Sequence, residues 1–181
     1  MPKPTLGNII TAIPDPLLSD NFSFSFPSIP VGKRNPNGLL FQCKNTIKPG
    51  VTLGNIDIAL FGHTVTYATN KTFSHEISTT YAENREMVIH QTVEEWIELI
   101  RGTQTQHGAP KEEHVRDGYL TVYNQAGAVV VVYRIINCWP SAIQDLNFDG
   151  TQSSALDTAI TWRYDYYINQ TTGVGAAVPT T

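Results

Sequence analysis

Apolar positions in this chain recur mostly at every second residue, the period of a strand that buries one face. Phe22, Phe24 and Phe26 alternate with serines and predict a first strand, stopped by Pro27 and Pro30. After the Asn35 to Gly38 turn, Leu39 to Lys44 reads as a second strand. Ile56, Ile58 and Leu60 alternate with Asp57 and Ala59, and the phase then shifts so that Val65 and Tyr67 continue it, which predicts a bulge or tight turn at Gly62. Phe73 to Tyr81 is a further strand. Tyr119 to Tyr123 and Ala128 to Cys138 predict a hairpin about the Asn124 to Gly127 turn, ended by Trp139-Pro140. Its second strand is apolar on both faces through Val129 to Val132, so both are expected to be covered. The longest alternation comes last: Leu156, Thr158, Ile160, Trp162, Tyr164, Tyr166 and Ile168 share one face, and a single strand over 156–168 would run about 40 Å.

One stretch has a different period. Ile89, Val93, Trp96, Ile97 and Ile100 form an apolar stripe at helical spacing, with Glu94, Glu95 and Glu98 turned away. Asn84 is placed to cap this helix and Glu86 suits the positive end of its dipole. Thr92-Val-Glu-Glu95 has capping-box spacing and offers a later start. In either reading Val93, Trp96, Ile97 and Ile100 dock on a sheet.

Between these elements lie less regular stretches. Residues 1–20 form a proline-broken N-terminal arm, 21–170 the β domain, and 171–181 a small, polar, flexible C-terminal tail. Asn45 to Asn55, with Pro49, Gly50 and Gly54, reads as a long loop. Its Ile47, Pro49, Val51 and Leu53 have little local core to join, which predicts an arm that orders on a neighbour.

Composition narrows the function classes. The chain has 181 residues, enough for one domain with a core, and only 15% are charged, with many Thr, Tyr, Val and Ile, which favours a mostly β protein. A net charge of -4 without a Lys/Arg cluster argues against a nucleic-acid grip. No stretch reaches the roughly 18 apolar residues of a membrane span, and the start lacks a charged segment followed by an apolar one, so a cytosolic chain without membrane binding is expected. Cys43 and Cys138 lie in apolar runs and are expected to be buried free thiols.

Candidate chemistry is sparse. Asp145, Asn147, Asp149 and Gly150 match the first half of a calcium loop, but Leu156 stands where the bidentate Glu is required, leaving an Asx-rich turn. His63, His75, His90, His107 and His114 show no metal-ligand spacing. Cys138 lacks a base nearby in sequence, and Gly173 and Gly175 precede no helix. The sequons at Asn70 and Asn169 are idle without export. No enzyme, cofactor or metal is predicted.

Five segments in order carry a family likeness: Phe61 to Val65, Phe73 to Tyr81, the helix with Trp96, Asn137-Cys-Trp-Pro-Ser141, and Trp162 to Tyr167. From about residue 20 to 168 the chain resembles the tail tube proteins of contractile-tailed bacteriophages. The resemblance implies a mainly β subunit with one flanking α-helix, a β-sandwich or barrel-like unit that contributes strands to a continuous ring barrel. It implies sixfold rings stacked into a hollow conduit, in a virion tail assembled in the bacterial host cytoplasm. The partners implied are further copies of the chain and the tail sheath, baseplate and tail terminator proteins, with DNA as transient cargo. By the same analogy Trp96 and its helix pack on the outside of the sheet, and the 45–55 loop reaches the adjoining ring. A bore that conducts DNA is expected to be acidic or neutral, with Asp57, Glu76, Asp157 and Asp165 as candidate lining. The alternatives are a baseplate tube initiator, a secretion-system or bacteriocin tube protein, and, from another class, a monomeric ligand-binding β-barrel that forms no polymer.

Overall fold

A computed structural model describes residues 17–31, 39, 42–149, 151 and 154–170. The predicted turn at 35–38, most of the N-terminal arm and the C-terminal tail lie outside the described residues. The strands are β1 (Phe22–Ser25), β2 (Cys43–Thr46), β3 (Val51–Leu60), β4 (His63–Phe73), β5 (Glu76–Ala82), β6 (Arg116–Tyr123), β7 (Val129–Ile143), β8 (Asp157–Arg163) and β9 (Tyr166–Asn169). The helices are α1 (Val88–Ile100) and the single-turn α2 (Lys111–His114).

The fold turns on β7. Its first part pairs antiparallel with β6 on one side and, through Tyr133 to Ile136, with β9 on the other. Beyond Asn137, whose φ of 55° marks a corner, Trp139 to Ile143 pairs with β8 instead. One layer is therefore β1-β6-β7-β9 and the other β7-β8-β5-β2, with β7 common to both. Pro140 does not end the strand as its sequence position predicts. The register shifts between Pro140 and Ala142, and at such an irregularity the missing N–H costs no ladder bond.

The predicted 40 Å closing strand is two strands. β8 stops at Arg163, the Asp165 N–H donates to the Ile136 carbonyl at 3.0 Å, and β9 then crosses to the other layer. The alternation breaks at this corner: Trp162 and Tyr164 are buried, whereas Tyr166 and Ile168 are exposed and Tyr167 turns partly inward. Likewise Phe73 to Tyr81 is not one strand, because His75 at φ 56° separates the end of β4 from β5.

The core lies between the layers. Trp162 of β8 donates from Nε1 to Thr79 Oγ1 at 2.7 Å and packs against Phe24, Phe26 and Trp96, with ring centroids at 6.2, 4.8 and 5.6 Å. Ile77, Tyr81, Leu120, Ile135, Cys138 and Ile160 surround this cluster. Trp96 packs from α1 into this core. It is fully buried among these rings, and its Nε1 donates to the His114 carbonyl at 2.7 Å, so the indole is both packed and hydrogen-bonded.

Helix α1 begins at Val88, near the earlier of the two starts. Asn84 Oδ1 accepts from the Val88 N–H at 3.1 Å, and Glu83 Oε1 accepts from the His90 N–H at 2.7 Å, so two first-turn donors are satisfied from the preceding segment. Thr92 is mid-helix and its hydroxyl donates to the Val88 carbonyl. Ile89 and Val93 are buried with Trp96, while Ile97 and Ile100 pack at the margin of the core.

Candidate assembly surfaces

The segment predicted as a loop contributes instead to a two-stranded sheet of its own. Among the described residues β3 and β4 pair only with each other, from Val51↔Phe73 to Leu60↔His63. Phe61 and Gly62, at φ 51° and 80°, form the two-residue turn whose twist matches a hairpin. Gly54 sits at a bulge in which a Cβ would meet Thr69 Oγ1 at 2.5 Å. With ten residues in β3, the ribbon is about 33 Å long. Neither of its strands makes more than marginal contact with another element among the described residues.

The register sorts this ribbon into two faces. Thr52/Thr72, Ile56/Tyr67, Ile58/Val65 and Leu60/His63 share one, while Val51/Phe73, Leu53/Lys71, Asn55/Ala68, Asp57/Thr66 and Ala59/Thr64 share the other, the extra residue of the bulge lying in β4 opposite Gly54. Leu53 is 62% exposed, Ile56 54%, Leu60 56%, and Phe61 at the tip is fully exposed. An isolated ribbon of this kind is marginally stable in water, and the exposed apolar cluster of Ile56, Ile58, Leu60, Val65 and Tyr67 toward its tip marks an interaction surface.

The outer face of the β7-β8-β5-β2 layer is different. Ser78, Thr80, Ala82, Ala159 and Thr161 line it with short side chains. Its charges are matched: Glu76 pairs with Arg163 at 2.9 Å and Asp157 with Lys44 at 2.7 Å. The outer face of the other layer carries Tyr119, Arg134, Ile136, Tyr166 and Ile168, with Arg134 held by Asp117 at 2.6 Å. At the start of β7 Val130 is 42% exposed, so the valine run is not covered on both faces within the subunit.

The candidate residues separate into distinct places. Ile47 is exposed but Pro49 is buried in the subunit, and Val51 and Leu53 belong to β3, so the four do not form one loop. Asp57 accepts from Thr66 Oγ1 at 2.7 Å on the polar face of the ribbon. Glu76 and Asp157 share the outer face just described. Asp165 lies beyond them at the β8–β9 corner, taking Lys111 Nζ at 2.7 Å and Asn137 Nδ2 at 2.6 Å. The Lys111 ammonium holds its carboxyl below the usual carboxylate range, against an opposing push from partial burial.

Sequence spacing does not reveal that His75 and His114 meet Lys111, Trp139, Arg163, Tyr164 and Asp165 around an open cleft of about 460 Å³. Each histidine uses Nδ1 toward a backbone carbonyl, Tyr164 at 3.1 Å and Ala109 at 3.2 Å. Among the described residues no group of three or more His, Cys, Asp or Glu side chains is placed to hold a metal ion. Asp149 Oδ1 accepts from the Thr151 amide and hydroxyl at 2.8 and 2.6 Å, an Asx turn. Both cysteines are free thiols, and burial raises each: Cys43 to about 11, and Cys138 still further. Neither is a thiolate near neutrality.

Comparison with known proteins places this architecture. The chain resembles a subunit of the tube-terminating cap of an anti-feeding prophage, with 17% identity, 89% of this chain and 95% of that one covered, and a TM-score of 0.62. It resembles chains of an extracellular contractile injection system in its extended state. The sheath/tube terminator match has 16% identity, 88% and 99% coverage and a TM-score of 0.64. The sheath–tube complex match has 14% identity, 94% and 100% coverage and a TM-score of 0.62. At these identities the likeness is one of fold. No curated protein sequence matches the chain. The family described as phage tail tube protein matches over residues 19–170, which takes in all nine described strands together with α1 and α2, and the chain therefore belongs to the phage tail tube protein family.

Proposed function

We propose that this protein is the repeating subunit of a phage tail tube, closing into sixfold rings that stack into a conduit for DNA. The observation that carries the reading is the β3–β4 ribbon, a preformed arm whose exposed cluster of Ile56, Ile58, Leu60, Val65 and Tyr67 packs on no other element among the described residues. A second copy is its natural occupant, because a homopolymer repeats both the arm and whatever receives it. The short strands β1, β2 and β9 leave open edges, and pairing across subunits into a ring barrel removes them. Sheath, baseplate and terminator proteins are the further partners of such a tube, in a virion tail assembled in the bacterial cytoplasm. A structural role of this kind needs no catalytic group.

For the bore we propose the outer face of the β7-β8-β5-β2 layer. It is smooth, and its ion pairs Glu76–Arg163 and Lys44–Asp157 cancel internally. A neutral lining offers passing phosphates neither a grip nor a barrier, whereas unpaired cations repeated in every ring would make it sticky. The test is negative-stain microscopy of the purified protein over a range of concentrations, followed by cosedimentation of the assemblies with DNA at physiological salt. Rings and tubes that leave DNA in the supernatant are expected. A monodisperse monomer at every concentration contradicts assembly and favours the monomeric barrel; salt-sensitive DNA pelleting contradicts the bore.

A further inference from the structure

The two ends of the ribbon are fastened to one place on the barrel, the corner where β8 passes into β9. On the incoming side, Lys48 places its ammonium 5.3 Å from the ring centroids of both Tyr133 and Tyr167, and its Nζ donates to the Tyr167 hydroxyl at 3.4 Å. Those two rings meet edge to face at 5.9 Å. On the outgoing side, Phe73 packs edge-on against the same Tyr167 at 5.3 Å. Ser74 Oγ and the Tyr164 hydroxyl share a hydrogen bond of 3.0 Å, and His75 Nδ1 donates to the Tyr164 carbonyl at 3.1 Å. Tyr164 is itself buried, so this anchor is rigid.

Two stalks held to one corner define a direction, which a single tether does not. The structure assigns Lys48, Tyr133, Tyr164 and Tyr167 as positioning residues for assembly, setting the angle at which the ribbon leaves the barrel. This inference rests on the ribbon being the assembly arm. Pre-alignment lowers the ordering cost of association, so its loss raises the concentration at which tubes form without unfolding the barrel. A cation between two aromatic faces is favoured electrostatically whether it is an ammonium or a guanidinium, which provides a conservative control.

The experiment compares parent, Lys48→Met, Lys48→Arg and Tyr164→Phe in the full chain. Two quantities are read: the tube-forming concentration, and hydrogen exchange at residues 48–53 and 71–76 in the dilute subunit. For Lys48→Met the concentration is expected to rise on the order of five- to tenfold with faster stalk exchange, and Lys48→Arg to restore both. Tyr164→Phe is expected to accelerate exchange mainly at 73–76. Unchanged assembly by Lys48→Met overturns the positioning role, with or without a change in exchange. If the parent itself forms no tubes, the assembly reading fails, and stalk exchange alone decides whether the fastening exists.

Discussion

In β5, Ile77, Thr79 and Tyr81 alternate with Glu76, Ser78 and Thr80 and are buried; in β3, Ile56, Ile58 and Leu60 alternate with Asp57 and Ala59 and are all exposed. The two strands carry the same pattern and meet opposite fates. The difference lies in what each faces. β5 is flanked by β8 and β2, and its Thr79 takes the Trp162 indole N–H within the core, whereas β3 has one neighbour, β4, among the described residues. Alternation thus specifies that a strand has an apolar side, not which molecule supplies the other half of the core. The two-layer body completes its own core; in the proposed assembly the ribbon supplies half of an interface.

The sharpest way to break this comparison is to remove matched apolar groups from the two regions. Trp96→Ala deletes an indole packed against Phe26 and Trp162 and hydrogen-bonded to His114, and is expected to cost about 3–5 kcal/mol of folding stability. Ile58→Ala in the ribbon removes a side chain with little to touch, and its cost is expected to stay within about 0.5 kcal/mol. Denaturant melts of the dilute subunit measure both. Comparable losses at the two sites would mean that the ribbon is packed after all.

These contrasts also explain what was legible in the sequence. The stripe of α1 was readable because a helix repeats its period over several turns, and Ile89, Val93 and Trp96 do so without interruption. The hairpin of β6 and β7 was readable from its turn. The split of the closing strand was not, because Tyr166 and Tyr167 are both aromatic and either phase of the alternation can claim them. Pro140 misled because a strand that switches layers tolerates a residue that a central ladder rejects. Gly50 and Gly54 misled in the opposite direction. They signal a loop, but Gly54 lies within β3 opposite the bulge that Thr69 and Asn70 form in β4, where a side chain would collide. For the bore candidates, spacing carries no information about their partners: Lys44, Arg163 and Lys111, which pair with Asp157, Glu76 and Asp165, lie far from them in sequence.

A smaller effect sharpens the account at the β8–β9 corner. The folded carboxyl of Asp165 is held below its ordinary value, first by the Lys111 ammonium and also by Asn137. A depressed folded pKa contributes stability that is present above the unfolded carboxylate value and is lost as pH falls through the folded one. The pair is partly solvent-screened, so Asp165→Asn is expected to cost roughly 0.2–1 kcal/mol at neutral pH. The difference between variant and parent should vanish on acidification below the usual carboxylate range. A stability gap that persists unchanged at low pH would mean the corner is held by packing alone.

The most direct measurement is hydrogen exchange of the ribbon and the barrel in the same sample, first as dilute subunit and then as assembled tube. In the dilute subunit the amides at the tip of the ribbon, around Ile58 to Val65, are expected to exchange fast while those of β6, β7 and β8 are protected. In the tube the tip should slow by about a hundredfold or more, as its apolar face becomes buried and the ribbon takes on the stability of the assembly, with the barrel unchanged. Equal tip exchange in the two states would contradict the central claim that the ribbon completes its core on another copy of the chain.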